Sequence, residues 1–328
     1  MSTAVYINHS SWDYLGKNQD VPYDGAYFFT NPKGLMKSAM IMPPDLPMEW
    51  VSKYGSLTVS QIGKELPHGG MNEAGLVVEQ TTLWPSTYPQ DQNKPAIGEL
   101  QWIQLMLDTC ASVEEVIDTA ASVRIVNPTS RLHYMVCDRT GRNAIVEFMQ
   151  ETPTIYQGET LSVPVMTNTS YPAAVQYLDN GDGQWLMDLD QYDRDSMERF
   201  IRAAAYLEKP SAEIGFALDL LKAAAREDTA FSLIYDMKNL EVHYTSKRHP
   251  DLKKTSLQEM DFSSASPIVI NLQQSGECLP EPYSPALNRS IVESFFRSPE
   301  LTAAFGWNIT DNMISYIAFT PDTYEFTE

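Results

Sequence analysis

Short apolar runs with strand character recur along most of the chain, and no internal repeat organises them. Residues 4–7, 57–62, 76–80, 133–137, 144–149, 163–167, 231–237, 242–245 and 268–272 each read as a strand. Two pairs are spaced as hairpins. Asp138 to Asn143 is a polar link in which Gly141 is free to take a positive φ, and Lys238-Asn239 is a short link in which Asn239 tolerates a left-handed turn. Helices fall between the strands. Ser112 and Glu115 have the spacing of a capping box opening a helix to about residue 121, and residues 197–207 form a second helix. Ser211 is expected to cap a third, with Ile214, Ala217, Leu218 and Leu221 on one face. After Cys278 the pattern predicts helices at 290–296 and 299–305, followed by an irregular tail. Hairpins with grouped helices predict an α+β layered architecture rather than a parallel α/β fold.

Composition narrows the function classes. A net charge of −20 argues against nucleic acid and anionic membranes, which need clustered Lys and Arg. No apolar run approaches the ~20 residues of a membrane-spanning helix. The first residues lack a basic start and an apolar stretch, so the chain as written is expected in the cytoplasm. Removal of a leader would instead place it in the periplasm or outside the cell. Three cysteines and five scattered histidines offer neither a disulfide framework nor metal-ligand spacing, so no metal or cofactor is expected. Cys137 reads as a small core residue.

The N-terminus carries the first chemical signal. If Met1 is removed, Ser2 presents a hydroxyl and a free α-amine on one residue. An α-amine titrates near ~8 and can serve as general base without a histidine. Ser after Met is common, so the reading depends on what accompanies it.

Five ordered stretches accompany it: Ser2-Thr-Ala-Val-Tyr, Gly16-Lys-Asn-Gln-Asp20, Gly69-Gly-Met-Asn-Glu-Ala-Gly-Leu76, Met166-Thr-Asn-Thr-Ser170 and Glu198-Arg-Phe-Ile-Arg202. In order and spacing this set resembles the linear amide hydrolase family of penicillin V acylases and bile-salt hydrolases. The resemblance covers roughly residues 2–275 and implies an αββα sandwich of two stacked antiparallel sheets flanked by helices. It further implies an N-terminal nucleophile at Ser2, where the family carries cysteine. By the same resemblance Asp20 bonds the N-terminal amine, Lys17 stands where the family has an arginine, and Arg199 is an active-site arginine. Asn168 points its amide into the oxyanion hole. The second oxyanion contributor counts onto Thr82, with Thr81, Leu83 and Trp84 as the neighbouring registers. Tyr23 and Trp84 fall on loops expected to line an acyl pocket.

Taken alone, Asp20 is a turn residue, Asn168 an Asx-turn residue and Arg199 an exposed helical side chain. Two positions depart from the family pattern. A serine hydroxyl must lose its proton during attack, whereas a thiol ionises near ~8.5, and Lys17 lacks the planar fork of an arginine. Three accounts of Ser2 stand, in this order: a Cys→Ser inactive variant, a natural serine nucleophile, and a homologue without hydrolysis. The expected activity is hydrolysis of a linear amide of a small N-acyl substrate through an acyl-enzyme. The alternatives are a non-catalytic acyl-ligand-binding protein and an acyltransferase. Residues 1–277 are expected to form the catalytic domain and 278–328 a helical extension packed on it, in a homo-oligomer.

Overall fold

The computed structural model describes residues 1–9, 12–149, 152–179, 184–263, 265–276 and 278–327. Two antiparallel sheets lie face to face. The smaller has six strands, in the order Val165–Met166, β1 (Ser2–His9), β2 (Trp12–Asp20), Thr229–Asp236, Glu241–Ser246 and Lys253–Ser256. The larger has nine strands, with Leu132–Cys137, Val77–Thr82, Gly69–Asn72 and Ser56–Ser60 at its centre.

Alternation of side chains along each strand divides the apolar residues between the two faces of the sheet. Ala4, Leu15 and Leu233 point between the sheets and meet Leu57, Met71 and Met135. Val5, Ile7 and Ile234 point outward, beneath helices α4 (Gln191–Leu207) and α5 (Ile214–Ala223). On the far side, α1 (Glu99–Thr109) and α2 (Val113–Ala120) cover the nine-stranded sheet, with Trp102 stacked on Tyr134 at 4.1 Å. The result is the expected four-layer αββα sandwich.

Within this frame the local expectations meet several differences. β2 lacks a long apolar run because Gly16 to Asp20 is almost wholly polar, yet the strand is buried at the sheet centre. The 138–143 link turns at Gly141 with φ 88°, as expected, but in the second hairpin the positive φ belongs to Leu240. There Asn239 spends its backbone N–H and its side-chain amide on the Asp236 carboxylate, so the left-handed position falls one residue later. Ser112 accepts from Glu115 N, while the Glu115 carboxylate takes the N–H of Ala111 rather than that of Ser112. Ser211 accepts from Glu213 N ahead of α5 and does not cap it; Glu213 is the capping position.

The C-terminal segment is more ordered than its sequence suggests. It forms α6 (Pro285–Phe296), α7 (Pro299–Phe305) and a further helix, α8 (Asp311–Phe319), where an irregular tail was expected. Buried Asn288 ties α6 down by accepting from Lys64 N at 2.9 Å and donating to Ala318 O at 2.7 Å. The domain boundary expected at residue 277 lies outside the described residues.

Candidate active site

β1 and β2 pair with Ser2 opposite Gln19 and Ala4 opposite Lys17. Directly opposed residues share a face, so Ser2, Gln19 and Lys17 point between the sheets, while Thr3 and Asn18 point toward the α4 and α5 helices. Side-chain bonds agree. The Ser2 hydroxyl lies 3.3 Å from Gln19 Oε1, and Asn18 donates to Leu221 O of α5. The hydroxyl therefore faces a cleft between the layers, whereas the main chain of Ser2 is held from the helix side.

That hold is specific. The Ser2 main-chain N–H donates to Asn168 Oδ1 at 2.9 Å, and Arg199 Nη2 donates to the same oxygen at 2.8 Å. Two donors on one atom fix which end of the amide is oxygen. Asn168 Nδ2 then donates to the Thr82 carbonyl at 2.9 Å. Arg199 also reaches Ser2 O at 2.6 Å, Thr3 Oγ1 at 2.8 Å and Asp195 at 3.1 Å, and is fully buried. Ser196 of α4 accepts from Asn168 N at 2.8 Å and pins that loop to the helix.

Asp20 ends β2, where the pairing with Thr229–Asp236 is bulged. Its Oδ1 accepts from Thr229 at 2.6 Å; its Oδ2 is buried without a hydrogen bond among the described residues, 3.8 Å from Arg199 Nη1. Met1 continues β1 by one residue. Its amine donates to the Asp20 carbonyl at 2.8 Å, and its own carbonyl accepts from Asp20 N and from the Ser2 hydroxyl. Burial pulls this amine down to about 6; the Asp20 carboxylate opposes the shift and the Arg199 charge adds to it.

Of the residues expected at the site, Ser2, Asp20, Thr82, Asn168 and Arg199 come together. Lys17 does not reach the amine. Strand alternation aims it between the sheets, where its ammonium donates to the Gln80 carbonyl and lies 3.5 Å from Glu79. Tyr235 donates to the other oxygen of Glu79 at 2.6 Å. Burial lowers the Lys17 pKa and raises that of Glu79. The adjoining glycine makes this pair possible: a Cβ on Gly69 would stand 2.2 Å from the Glu79 carboxylate.

The alternative registers separate clearly. Thr81 donates to Thr167 O and lies against His133 in the interior, and Leu83 is buried with its N–H on Arg131 O. Trp84 lines a separate recess beyond Asn168, together with Tyr192. Tyr23 lies behind the wall of the cleft, donating to Ser294 at 3.0 Å and meeting Phe295 edge-on at 5.3 Å. Neither aromatic lines the cleft at Ser2, because α6 occupies the face that the Tyr23 loop would otherwise present.

The matched region decides the family: residues 48–270 fit the model described as linear amide C–N hydrolases, choloylglycine hydrolase family. The chain belongs to that family. Over 270 residues it is 24% identical to a penicillin V acylase of Pectobacterium atrosepticum, covering 66% of this chain and 69% of the relative. Its fold matches that of penicillin V acylase from Agrobacterium tumefaciens with a TM-score of 0.67 and 25% identity, over 83% of this chain and 91% of that one. A mutant form of the conjugated bile acid hydrolase from Clostridium perfringens shares the fold at a TM-score of 0.67 and 18% identity, over 87% and 97% of the two chains.

This choloylglycine hydrolase-family enzyme is thus an amide hydrolase with the Ntn-hydrolase fold. Among the described residues no His, Cys, Asp or Glu group is arranged to hold a metal, and no helix is long and apolar enough to cross a membrane. Sequence reading missed Gln19, Thr3, Thr229 and Ser196 at the site. Gln19 lies inside the Gly16–Asp20 stretch and became visible only once that stretch was a strand paired with β1.

Proposed function

We propose that the chain, with Met1 removed, hydrolyses a linear amide of a small N-acyl substrate with Ser2 as nucleophile. One relationship carries this reading. The nitrogen of Ser2 is held on Asn168, while the hydroxyl of the same residue faces the cleft.

Ser2 Oγ attacks the substrate carbonyl and its proton passes to the Ser2 amine. Asn168 Nδ2 has a second hydrogen beside the one given to Thr82, and it donates to the developing oxyanion. The carbon–nitrogen bond then breaks, and the amine's proton leaves with the departing nitrogen. Water attacks the resulting ester, again giving its proton to the Ser2 amine, and the carboxylic acid departs as Ser2 is restored. Asp20 Oδ2, which has no hydrogen bond among the described residues, is the acceptor for the ammonium formed in each half-reaction. Arg199 orders Ser2 O, Thr3 and Asn168 and contacts no reacting atom.

A second reading has its own observation. While Met1 remains attached, the Ser2 hydroxyl donates to the Met1 carbonyl and adjoins no amine of its own residue. In that state the cleft binds an acylated ligand without cleaving it.

Mass spectrometry of the purified chain determines whether Met1 is present. Hydrolysis of phenoxyacetyl, fatty-acyl and bile-conjugated amides is then compared for the Met1-free chain and its Ser2→Cys variant. Turnover by the serine chain supports the proposal, and turnover only by the Ser2→Cys variant assigns serine as the inactivating residue. Silence in both, with ligand still bound, establishes the binding protein.

A further inference from the structure

The cleft at Ser2 has a volume of about 110 Å³, and one of its walls is built by α6, α7 and Trp307, two residues beyond α7. Phe295, Phe296, Phe305 and Trp307 form that wall, and all four lie after the family-matched residues 48–270.

Trp307 is the centre of the cluster. Its ring lies parallel to Phe305 at 4.9 Å, and stands 5.4 Å from Phe296 and 5.6 Å from Phe295. Gly306 ends α7 in the left-handed region at φ 63°, which turns the chain so that the indole folds back over Phe305. The indole N–H donates to Phe296 O at 3.3 Å and fixes the ring's orientation. The wall cannot drift from Ser2, because Asn288 binds α6 to Lys64, next to the Ile62 that lines the same cleft.

We propose that this wall is the acyl subsite, taking a single aromatic ring or a short apolar chain, and that Phe296, Phe305 and Trp307 set acyl specificity. The proposal rests on Ser2 being the residue that meets the substrate carbonyl. Size sets an upper bound on the ligand: at about 110 Å³ the cleft is smaller than the dry cavity of about 150 Å³ that holds benzene, so it takes no more than one ring or a short chain. A fused steroid would need the wall displaced. Chemistry limits it too. Phe305 lines the cleft, is 44% exposed and is stacked on Trp307, so apolar aromatic surface is available to a ligand there. Facing the aromatics, His68 is kept neutral, burial and the Lys17 charge pulling it down to about 3.

The test uses the full Met1-free chain and its Trp307→Ala, Phe296→Ala and Phe305→Ala variants. Calorimetric titration with phenoxyacetyl-glycine measures affinity, and kcat/KM for phenoxyacetyl-glycine over acetyl-glycine measures acyl selectivity. Each variant is expected to lose roughly ten- to hundredfold in affinity for the aromatic amide. Selectivity for phenoxyacetyl-glycine over acetyl-glycine should fall with it. Phe305→Ala removes a half-exposed ring and leaves the fold intact, so its result stands if the buried substitutions destabilise the chain. Equal affinity in parent and variants, or no binding to any of them, overturns the proposal. Wall-dependent binding without hydrolysis by Ser2 or its Ser2→Cys variant sustains the subsite and removes the hydrolytic role of Ser2. Hydrolysis whose acyl selectivity ignores all three substitutions removes the subsite and leaves that role standing.

Discussion

Asn168 Oδ1 stands 2.9 Å from the main-chain nitrogen of Ser2, so the amide accepts from the N-terminal residue and turns its NH₂ toward Thr82. Asn168→Asp preserves the acceptor for Ser2 and Arg199 but removes the NH₂. Loss of an oxyanion donor is expected to lower kcat by about 10²–10³-fold. KM should move little, because the bonds from Ser2 and Arg199 remain and only the one to the Thr82 carbonyl is lost. Steady-state kinetics on the Met1-free chain decides this, and an unchanged kcat would take Asn168 out of the oxyanion role.

Arg199 is buried, bonded to Ser2, Thr3, Asn168 and Asp195, and 3.8 Å from the unbonded oxygen of Asp20. Arg199→Ala removes the guanidinium beside the buried Asp20 carboxylate, a change that typically costs about 3–5 kcal/mol. Arg199→Lys keeps the charge but cannot bridge Ser2 O and Asn168 at once, so activity should fall more than stability. Urea denaturation and initial rates on both variants separate the two effects.

The rate should rise with pH through the titration of the N-terminal amine, since only the neutral amine accepts a proton. With Met1 in place, burial pulls the Met1 amine down to about 6, the Asp20 carboxylate opposing the shift and the Arg199 charge adding to it. Ser2 is itself buried, with its nitrogen on the Asn168 oxygen that Arg199 also binds, so burial of the amine freed by Met1 removal should place the ascending limb of kcat/KM below the ~8 of an ordinary α-amine. A limb at 8 or above would show that the amine stays solvated during catalysis.

Lys17 and Glu79 are both buried, and each is shifted toward its neutral form. Lys17→Met removes the cation beside the buried Glu79 and leaves its hydrogen bond from Tyr235, and is expected to destabilise the fold by about 3–5 kcal/mol. Adding Glu79→Gln should recover most of that loss. Equilibrium unfolding of the single and double variants reads the difference, and strict additivity would refute the pairing.

Asn288→Ala deletes both hydrogen bonds that hold α6 to Lys64 and Ala318. Leaving those backbone groups without partners is expected to cost about 1–3 kcal/mol. Limited proteolysis should then cut first within residues 278–328, and uniform cleavage along the chain would contradict the anchoring role.

The strands that sequence reading located are those whose apolar residues alternate or cluster, such as Leu132–Cys137 and Glu241–Ser246. β2 escaped because only Tyr14 and Leu15 of its buried side chains are apolar, and the four that follow Gly16 (Lys17, Asn18, Gln19 and Asp20) are polar groups that bond to partners on other elements. The same blindness explains Lys17. Its position in the motif suggested the amine, but the face it occupies depends on the register between β1 and β2. Tyr23 and Trp84 have the composition of pocket residues, yet Tyr23 serves as backing for Phe295 and Trp84 opens onto a different recess.

By itself the sequence determined the α+β class and the family resemblance, and through that resemblance it pointed to Ser2, Asp20, Asn168 and Arg199, because each lies in a short motif that matches the family. Only the tertiary structure decided that α6, α7 and Trp307 form a wall beside Ser2 at the opposite end of the chain. No periodicity links residues so distant. Their meeting is fixed by how Asn288 and the aromatic rings pack against the loop at Lys64, and that depends on the whole folded core.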